Sequence, residues 1–245
     1  MHRQDAAGRN WPTGSLMSNL SGPDRDALLR LGSFRKYAPG EMLIVEGGLE
    51  TDVMLILDGC AKVLVSADDG STVLLAIRAP GDVVGELAAL DGRPRSATVV
   101  AARGISAHVV SGVAFRACLR ERPDVATELQ RSVAGKLRAA IRYRIDATSA
   151  AVPVRLARTL DSLVRSYGRP TPQGLRIDVP LSNADLAALA GLSSASVQRA
   201  LRALRADGAI RTEYRSVLVR DLAALRATAA GDFPPEAPEA RGVAS

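Results

Sequence analysis

Gly85-Glu86-Leu87-Ala88-Ala89-Leu90-Asp91-Gly92-Arg93-Pro94-Arg95-Ser96-Ala97 is the stretch on which the reading of this chain turns. It lies inside a segment of β texture running from Phe34 to about Val110. Short apolar pieces there (Met42–Val45, Val53–Leu57, Ala61–Val65, Val73–Ile77, Ala97–Val100, Ala107–Val110) are parted by turn signals: Pro39-Gly40, Glu46-Gly47-Gly48, Asp58-Gly59, Asp68-Asp69-Gly70, Pro80-Gly81 and Asp91-Gly92. Strands so spaced and so punctuated predict an antiparallel sandwich or barrel. Asp69-Gly70 is a hairpin signal, because glycine reaches φ > 0 without steric cost. Residues 1–19 read as a flexible lead, and Asp24–Leu31 as a short helix.

Downstream the texture becomes helical. Pro123 suits a first helical position, and Gly135 is the only breaker before Pro153. Leu129, Val133, Leu137, Ile141 and Ile145 recur every fourth residue, a narrow apolar seam on a long basic helix over 122–151. Both packing onto its own β domain and pairing with a second copy fit that seam; for a helix joining two domains, a dimer interface through Leu129, Val133, Leu137 and Ile141 is expected. Beyond it come a helix (Val154–Tyr167), a Gly/Pro break (Gly168–Gly174) and a strand (Leu175–Val179). Ser182 with Asp185 three residues on resembles a capping box for a helix over Asn183–Ala190. Gly191 turns the chain, and Ser193 caps a second helix over Ser194–Ala206. Ile210–Thr212 and Val217–Val219 pair as a wing. Helix, tight turn, helix and hairpin make a winged helix-turn-helix, expected over 152–230, with a disordered tail over 231–245.

Charge follows this division. The chain has 245 residues, 47 % apolar and 3 % aromatic, with a net charge of +6. Residues 152–230 hold 12 arginines against 6 acids, whereas residues 1–151 hold 19 basic against 17 acidic side chains. A basic module beside a near-neutral one suits a polyanion-binding domain attached to something else. A general preference for arginine, with lysine only at 36, 62 and 136, explains the excess as well. Cys60 and Cys118 are too few for a disulfide scaffold, no apolar run could span a bilayer, and no signal peptide is evident, so a cytoplasmic protein is expected.

The quoted stretch resembles the phosphate-binding cassette of cyclic-nucleotide-binding domains, as found in the Crp/Fnr (cAMP receptor protein) family of bacterial transcription regulators. The resemblance covers roughly 24–228 in the family's order: β-barrel or jelly-roll domain over 20–121, dimerisation helix over 122–151, winged helix-turn-helix. It implies an α+β fold and an effector, cAMP or cGMP, held through Gly85, Glu86, Leu87, Arg95, Ser96 and Ala97. Glu86 would bond the ribose hydroxyl, Arg95 the cyclic phosphate, and Ser96 would complete the cradle. Guanidinium and phosphate form a charge-assisted fork on general grounds. Where cAMP-responsive members carry adjacent hydroxyls that bond adenine, this chain carries Ala140 and Ile141, which cannot.

In the second helix Arg199 matches the family's base-reading arginine and can address guanine; Gln198 can pair with adenine. Ser182, Ser193, Ser194, Ser196, Arg202 and Arg215 complete the expected DNA contacts, with Arg155, Arg158 and Arg211 read as phosphate contacts. Ser194 and Ala195 stand where many members have Arg and Glu, so the operator should differ from the familiar half-site. The resemblance also implies a homodimer, a double-stranded DNA operator and RNA polymerase as partners. No His/Cys/Asp cluster has metal spacing, His108 in a predicted strand reads as structural rather than a haem ligand, and nothing suggests an enzyme. Two alternatives stay open: a vestigial sensor that leaves DNA binding ligand-free, and a cyclic-nucleotide-binding protein whose C-terminal module docks a protein.

Overall fold

The computed structural model describes residues 11–12, 14–67, 70, 72–177, 179–213 and 216–231. Residues 1–10 and Thr13 of the expected lead, Asp68-Asp69 of the hairpin turn, Asp178 of the expected strand over Leu175–Val179, Arg215 and residues 232–245 of the tail lie outside them. The chain begins with α1 (Leu16–Asn19) and α2 (Gly22–Leu31), followed by β1 (Ser33–Tyr37), β2 (Met42–Ile44), β3 (Val53–Asp58), β4 (Ala61–Ser66), β5 (Thr72–Arg78) and β6 (Val83–Val84). The cassette contributes α3 (Glu86–Asp91); then come β7 (Thr98–Ala101), β8 (Ile105–Val110), α4 (Gly112–Glu121) and the long α5 (Pro123–Ser149). The C-terminal domain is α6 (Val152–Tyr167), β9 (Gly168–Thr171), β10 (Gly174–Ile177), α7 (Asn183–Ala190), α8 (Ser194–Ala206), β11 (Ile210–Glu213), β12 (Ser216–Val219) and α9 (Leu222–Ala230).

The β domain is a sandwich of two antiparallel sheets, in the orders β1-β8-β3-β6 and β2-β7-β4-β5, and not a closed barrel. Inward-facing Ile44, Ile56, Val84, Val99 and Ala107 fill the space between the sheets. The β4–β5 hairpin pairs Ser66 with Thr72 around Gly70, whose φ is 80°. Part of the expected flexible lead is packed: Trp11, Leu16 and Met17 are buried with Leu28, Phe115 and Leu129, because burying a large aromatic and two long apolar side chains outweighs the freedom of a short segment. Helix α4, with Ser111 as its cap, was not legible as a helix.

The Gly/Pro break expected over Gly168–Gly174 is a strand hairpin. β9 pairs with β10 from Gly168↔Ile177 to Thr171↔Gly174, and Pro170 is tolerated because β9 is an edge strand. The wing pairs Ile210 with Val219 through Glu213 with Ser216. Helices α7 and α8 have the bounds expected of them, and the capping box at Ser182 and Asp185 is formed.

Candidate functional site

The cassette is a glycine turn held from both sides. Gly85 has φ of 82°, and a Cβ there would lie 2.6 Å from Arg95 Nη1 and 2.7 Å from the Asp52 carbonyl oxygen. Only glycine fits such a left-handed close approach. The Arg95 backbone is clamped by the Gly47-Gly48 turn: its N–H donates to the Gly48 carbonyl at 2.8 Å, and its carbonyl accepts from Gly47 N at 2.9 Å. Its side chain is 5 % exposed and turned inward. Nη1 donates to the Gly85 carbonyl at 2.8 Å and Nη2 to the Asp52 carbonyl at 2.6 Å. Burial pushes the guanidinium below its ordinary value, against the attraction of Asp52, Glu50 and Glu86.

Glu86, the first residue of α3, is also 5 % exposed. Its Oε1 accepts from Lys136 Nζ at 2.7 Å, and the same ammonium donates to the Val83 carbonyl at 3.0 Å. Lys136 was not singled out in the sequence; its one signal was the rarity of lysine. Burial pushes its ammonium below the ordinary lysine value, with Glu86 pulling the other way. Asp82 is held above its ordinary value by burial, while Arg78 and Lys136 oppose that. Thus Gly85, Glu86 and Arg95 converge on one turn, and α5 is pinned to it through Lys136. Ser96 and Leu87 are exposed beside this turn, and Ala97 is half-buried. Ala140 and Ile141 lie one turn beyond Lys136 on α5, both exposed.

Helix α5 divides along its length. A helix of this length extends about 40 Å, so its N-terminal half packs on the sandwich and the rest runs past it. Val125 and Leu129 are buried in the chain's own core, which removes Leu129 from the expected dimer seam. Val133 is half-buried, whereas Leu137, Ile141 and Ile145 are 61 %, 50 % and 57 % exposed. They form an apolar stripe that belongs to none of the cores among the described residues.

In the C-terminal domain, α8 buries Val197, Ala200, Leu201 and Leu204 and exposes Ser194, Gln198, Arg199 and Arg202. Two expected contact serines are engaged in capping: Ser182 Oγ with Asp185, and Ser193 Oγ, which accepts from Ser196 N at 3.1 Å and lies 3.0 Å from Ser196 Oγ. Arg199 Nη2 leans to Ser196 Oγ at 3.4 Å. Arg155 and Arg158, expected as phosphate contacts, are engaged in bonds within the chain. Arg155 donates to the carbonyls of Ala190 (3.1 Å) and Gly191 at the turn between α7 and α8. Arg158 donates to the Ala229 carbonyl at 2.8 Å and pairs with Asp146 at the end of α5. Arg211 is exposed on β11, and Arg215 lies outside the described residues. Among the described residues no group of His, Cys, Asp and Glu could hold a metal ion, and no helix is long and apolar enough to cross a membrane.

Residues 34–122 match the cyclic nucleotide-binding domain and residues 154–228 the Crp-like helix-turn-helix domain. The chain is 30 % identical over 185 residues to a CRP-like cAMP-activated global transcriptional regulator of Mycobacterium tuberculosis, covering 76 % of this chain and 83 % of that protein. It is 30 % identical to the cyclic AMP receptor protein of Thermus thermophilus, over 88 % of this chain and 97 % of that one. The solved structure of a CRP-family transcriptional regulator from Thermus thermophilus superposes with a TM-score of 0.65 at 25 % identity, over 80 % of this chain and 96 % of the other. FixK2 from Bradyrhizobium japonicum shares the fold, with a TM-score of 0.68 at 23 % identity, over 80 % of this chain and 96 % of that one. Identity at this level runs through both matched domains and most of each relative, and so this chain belongs to the Crp/Fnr family of ligand-responsive, DNA-binding transcription regulators.

Proposed function

We propose that this regulator works as a homodimer reading a palindromic operator in double-stranded DNA, with a cyclic nucleotide as its effector. The observation that carries DNA reading is the division of α8: an apolar face buried in the domain, and Ser194, Gln198, Arg199 and Arg202 together on the solvent face. Arg199 would address guanine in the major groove and Gln198 adenine. Two copies joined along the exposed Leu137, Ile141 and Ile145 stripe would present two α8 helices to half-sites about 34 Å apart. A modest change at α5 would then alter their spacing and switch affinity. The chain would act without enzymatic chemistry, in the cytoplasm, with RNA polymerase as its further partner.

For the effector, a cyclic phosphate would draw Arg95 from the Gly85 and Asp52 carbonyls, and a ribose hydroxyl would share Glu86 with Lys136. The relatives named for cAMP make cAMP the first candidate; cGMP, with the same cyclic phosphate and ribose, is the second. The internal bonds of Arg95 favour a second reading, in which the turn is self-satisfied and DNA binding needs no cyclic nucleotide. Calorimetry with cAMP and cGMP separates the two, and titration of a selected duplex at several salt concentrations tests DNA binding, whose affinity should fall steeply with salt. Arg199→Ala should cost about 1–3 kcal/mol at one base pair and relax preference there. A variant that keeps the full specificity ratio over random duplex would show that α8 is read wrongly.

A further inference from the structure

The two domains share more than the connection between α5 and α6. One apolar core crosses the boundary, burying Cys60, Leu74 and Ile77 of the sandwich with Leu156, Leu160 and Leu186 of the C-terminal domain. At its edge Tyr167, the last residue of α6, donates its hydroxyl to the Ile77 carbonyl at 2.7 Å. Lys62 of β4 reaches from the sandwich to the first turn of α7, its Nζ 2.7 Å from both carboxylate oxygens of Asp185. The two side chains are 19 % and 13 % exposed, so water screens the pair far less than a surface pair.

Asp185 serves both domains. Its Oδ2 accepts from the Ser182 backbone N–H and hydroxyl, each at 2.8 Å, closing the capping box that starts α7. A cation at a helix N-terminus opposes the helix dipole, so Lys62 is held there by the carboxylate and not by the helix. Burial pushes the Asp185 carboxyl upward, and the bonds from Lys62 and Ser182 outweigh it to hold the group below its ordinary value. With α7 fastened at this end, α8 packed against it is fastened too. The outward face of α8 stays open to solvent in this arrangement, so docking to the sandwich does not cover the reading surface.

We propose that Lys62, a residue of the sensor domain, is a positioning residue for DNA reading: its ion pair with Asp185 sets the angle at which α7 and α8 meet the operator. The proposal rests on α8 as the reading helix. Base-edge hydrogen bonds are directional and must form in both half-sites at once, whereas phosphate contacts tolerate a rocking domain. Loosening the pair should therefore harm specific binding selectively.

The probes are a duplex that the wild-type protein selects from a random-sequence pool and a random duplex of equal length. Lys62→Met keeps the apolar stem and leaves the capping box of Asp185 intact. We expect binding of the selected duplex to weaken about tenfold, equivalent to about 1.4 kcal/mol, with random-duplex binding changed by less than about twofold. Lys62→Arg should restore most of the loss. Thermal melting followed by circular dichroism identifies a folding defect, which would lower both affinities alike. Equal loss on both duplexes, no loss, or tighter binding by Lys62→Met would overturn the proposal. A wild-type protein that selects no duplex, whether alone or with cAMP or cGMP present, would instead refute DNA reading by α8, leaving the two failures distinct.

Discussion

Leu137→Glu places a carboxylate in the middle of the exposed stripe of α5, and its effect separates folding from assembly. Leu137 is 61 % exposed and touches none of the chain's cores, so within one chain the change replaces a wet leucine by a wet glutamate. A surface substitution of that kind shifts stability by about 0.5 kcal/mol or less. In a dimer joined along Leu137, Ile141 and Ile145 the same position is covered. Full burial of a leucine contributes about 1.5–3 kcal/mol, so covering the exposed part is worth about 1–2 kcal/mol per chain and about 2–4 kcal/mol per dimer. At 1.4 kcal/mol per decade the dimer Kd should rise by about one and a half to three orders of magnitude, before any repulsion between the paired carboxylates is counted. Sedimentation equilibrium or light scattering across a dilution series reads the Kd, and circular dichroism melting at a concentration where both proteins are monomeric reads the fold. A variant that dimerises like the wild type would refute the α5 seam. A variant that also unfolds would show that residue 137 is packed within its own chain.

Gly85→Ala should destabilise the β domain by about 1–3 kcal/mol, because alanine resists the left-handed backbone and its Cβ collides with the Arg95 guanidinium; an unchanged urea midpoint would contradict the geometry of the turn. If a cyclic nucleotide binds, cAMP and cGMP should differ by less than about tenfold, since Ala140 and Ile141 offer a base no polar atom to bond; calorimetry showing a larger preference would mean another residue reads the base. The carboxyl of Asp24 is held below its ordinary 3.8 by hydrogen bonds from Ser21 and Arg122. Its folded pKa is depressed, so this contribution is complete above pH 3.8 and is lost as pH falls through the folded value. Arg122→Gln, which removes a pair with a partly exposed guanidinium, should therefore cost up to about 1 kcal/mol at pH 7 and progressively less as Asp24 protonates, read from urea denaturation at several pH values. A cost independent of pH would assign Arg122 to packing instead.

Much of the architecture is written in short-range chemistry. Ser182 with Asp185, Gly191 and Ser193 specify α7, its end and the start of α8, because caps and turns are satisfied within three or four residues. Turn glycines and alternating apolar pieces marked most strands of the sandwich for the same local reason. Where local signals conflicted, legibility failed. Proline and glycine over 168–174 concealed β9, an edge strand whose partner lies across the hairpin, and the polar residues around Trp11 concealed a packed segment.

The sequence by itself determined the succession of β domain, long helix and winged helix-turn-helix, together with the cassette and the two helices of the reading motif. Only the tertiary structure decided which equivalent positions do different work. Leu129 and Leu137 lie two steps apart on one four-residue repeat, yet one is in the chain's own core and the other is in water, because α5 outruns the sandwich. Arg95 turns to the Gly85 and Asp52 carbonyls, Arg155 and Arg158 to carbonyls within their own domain, and Lys136 to Glu86, 50 residues away. The pairing of Lys62 with Asp185 spans 123 residues. A residue's type declares what it can bond; the packing of distant elements decides what stands within reach, and repeat and motif cannot encode that distance.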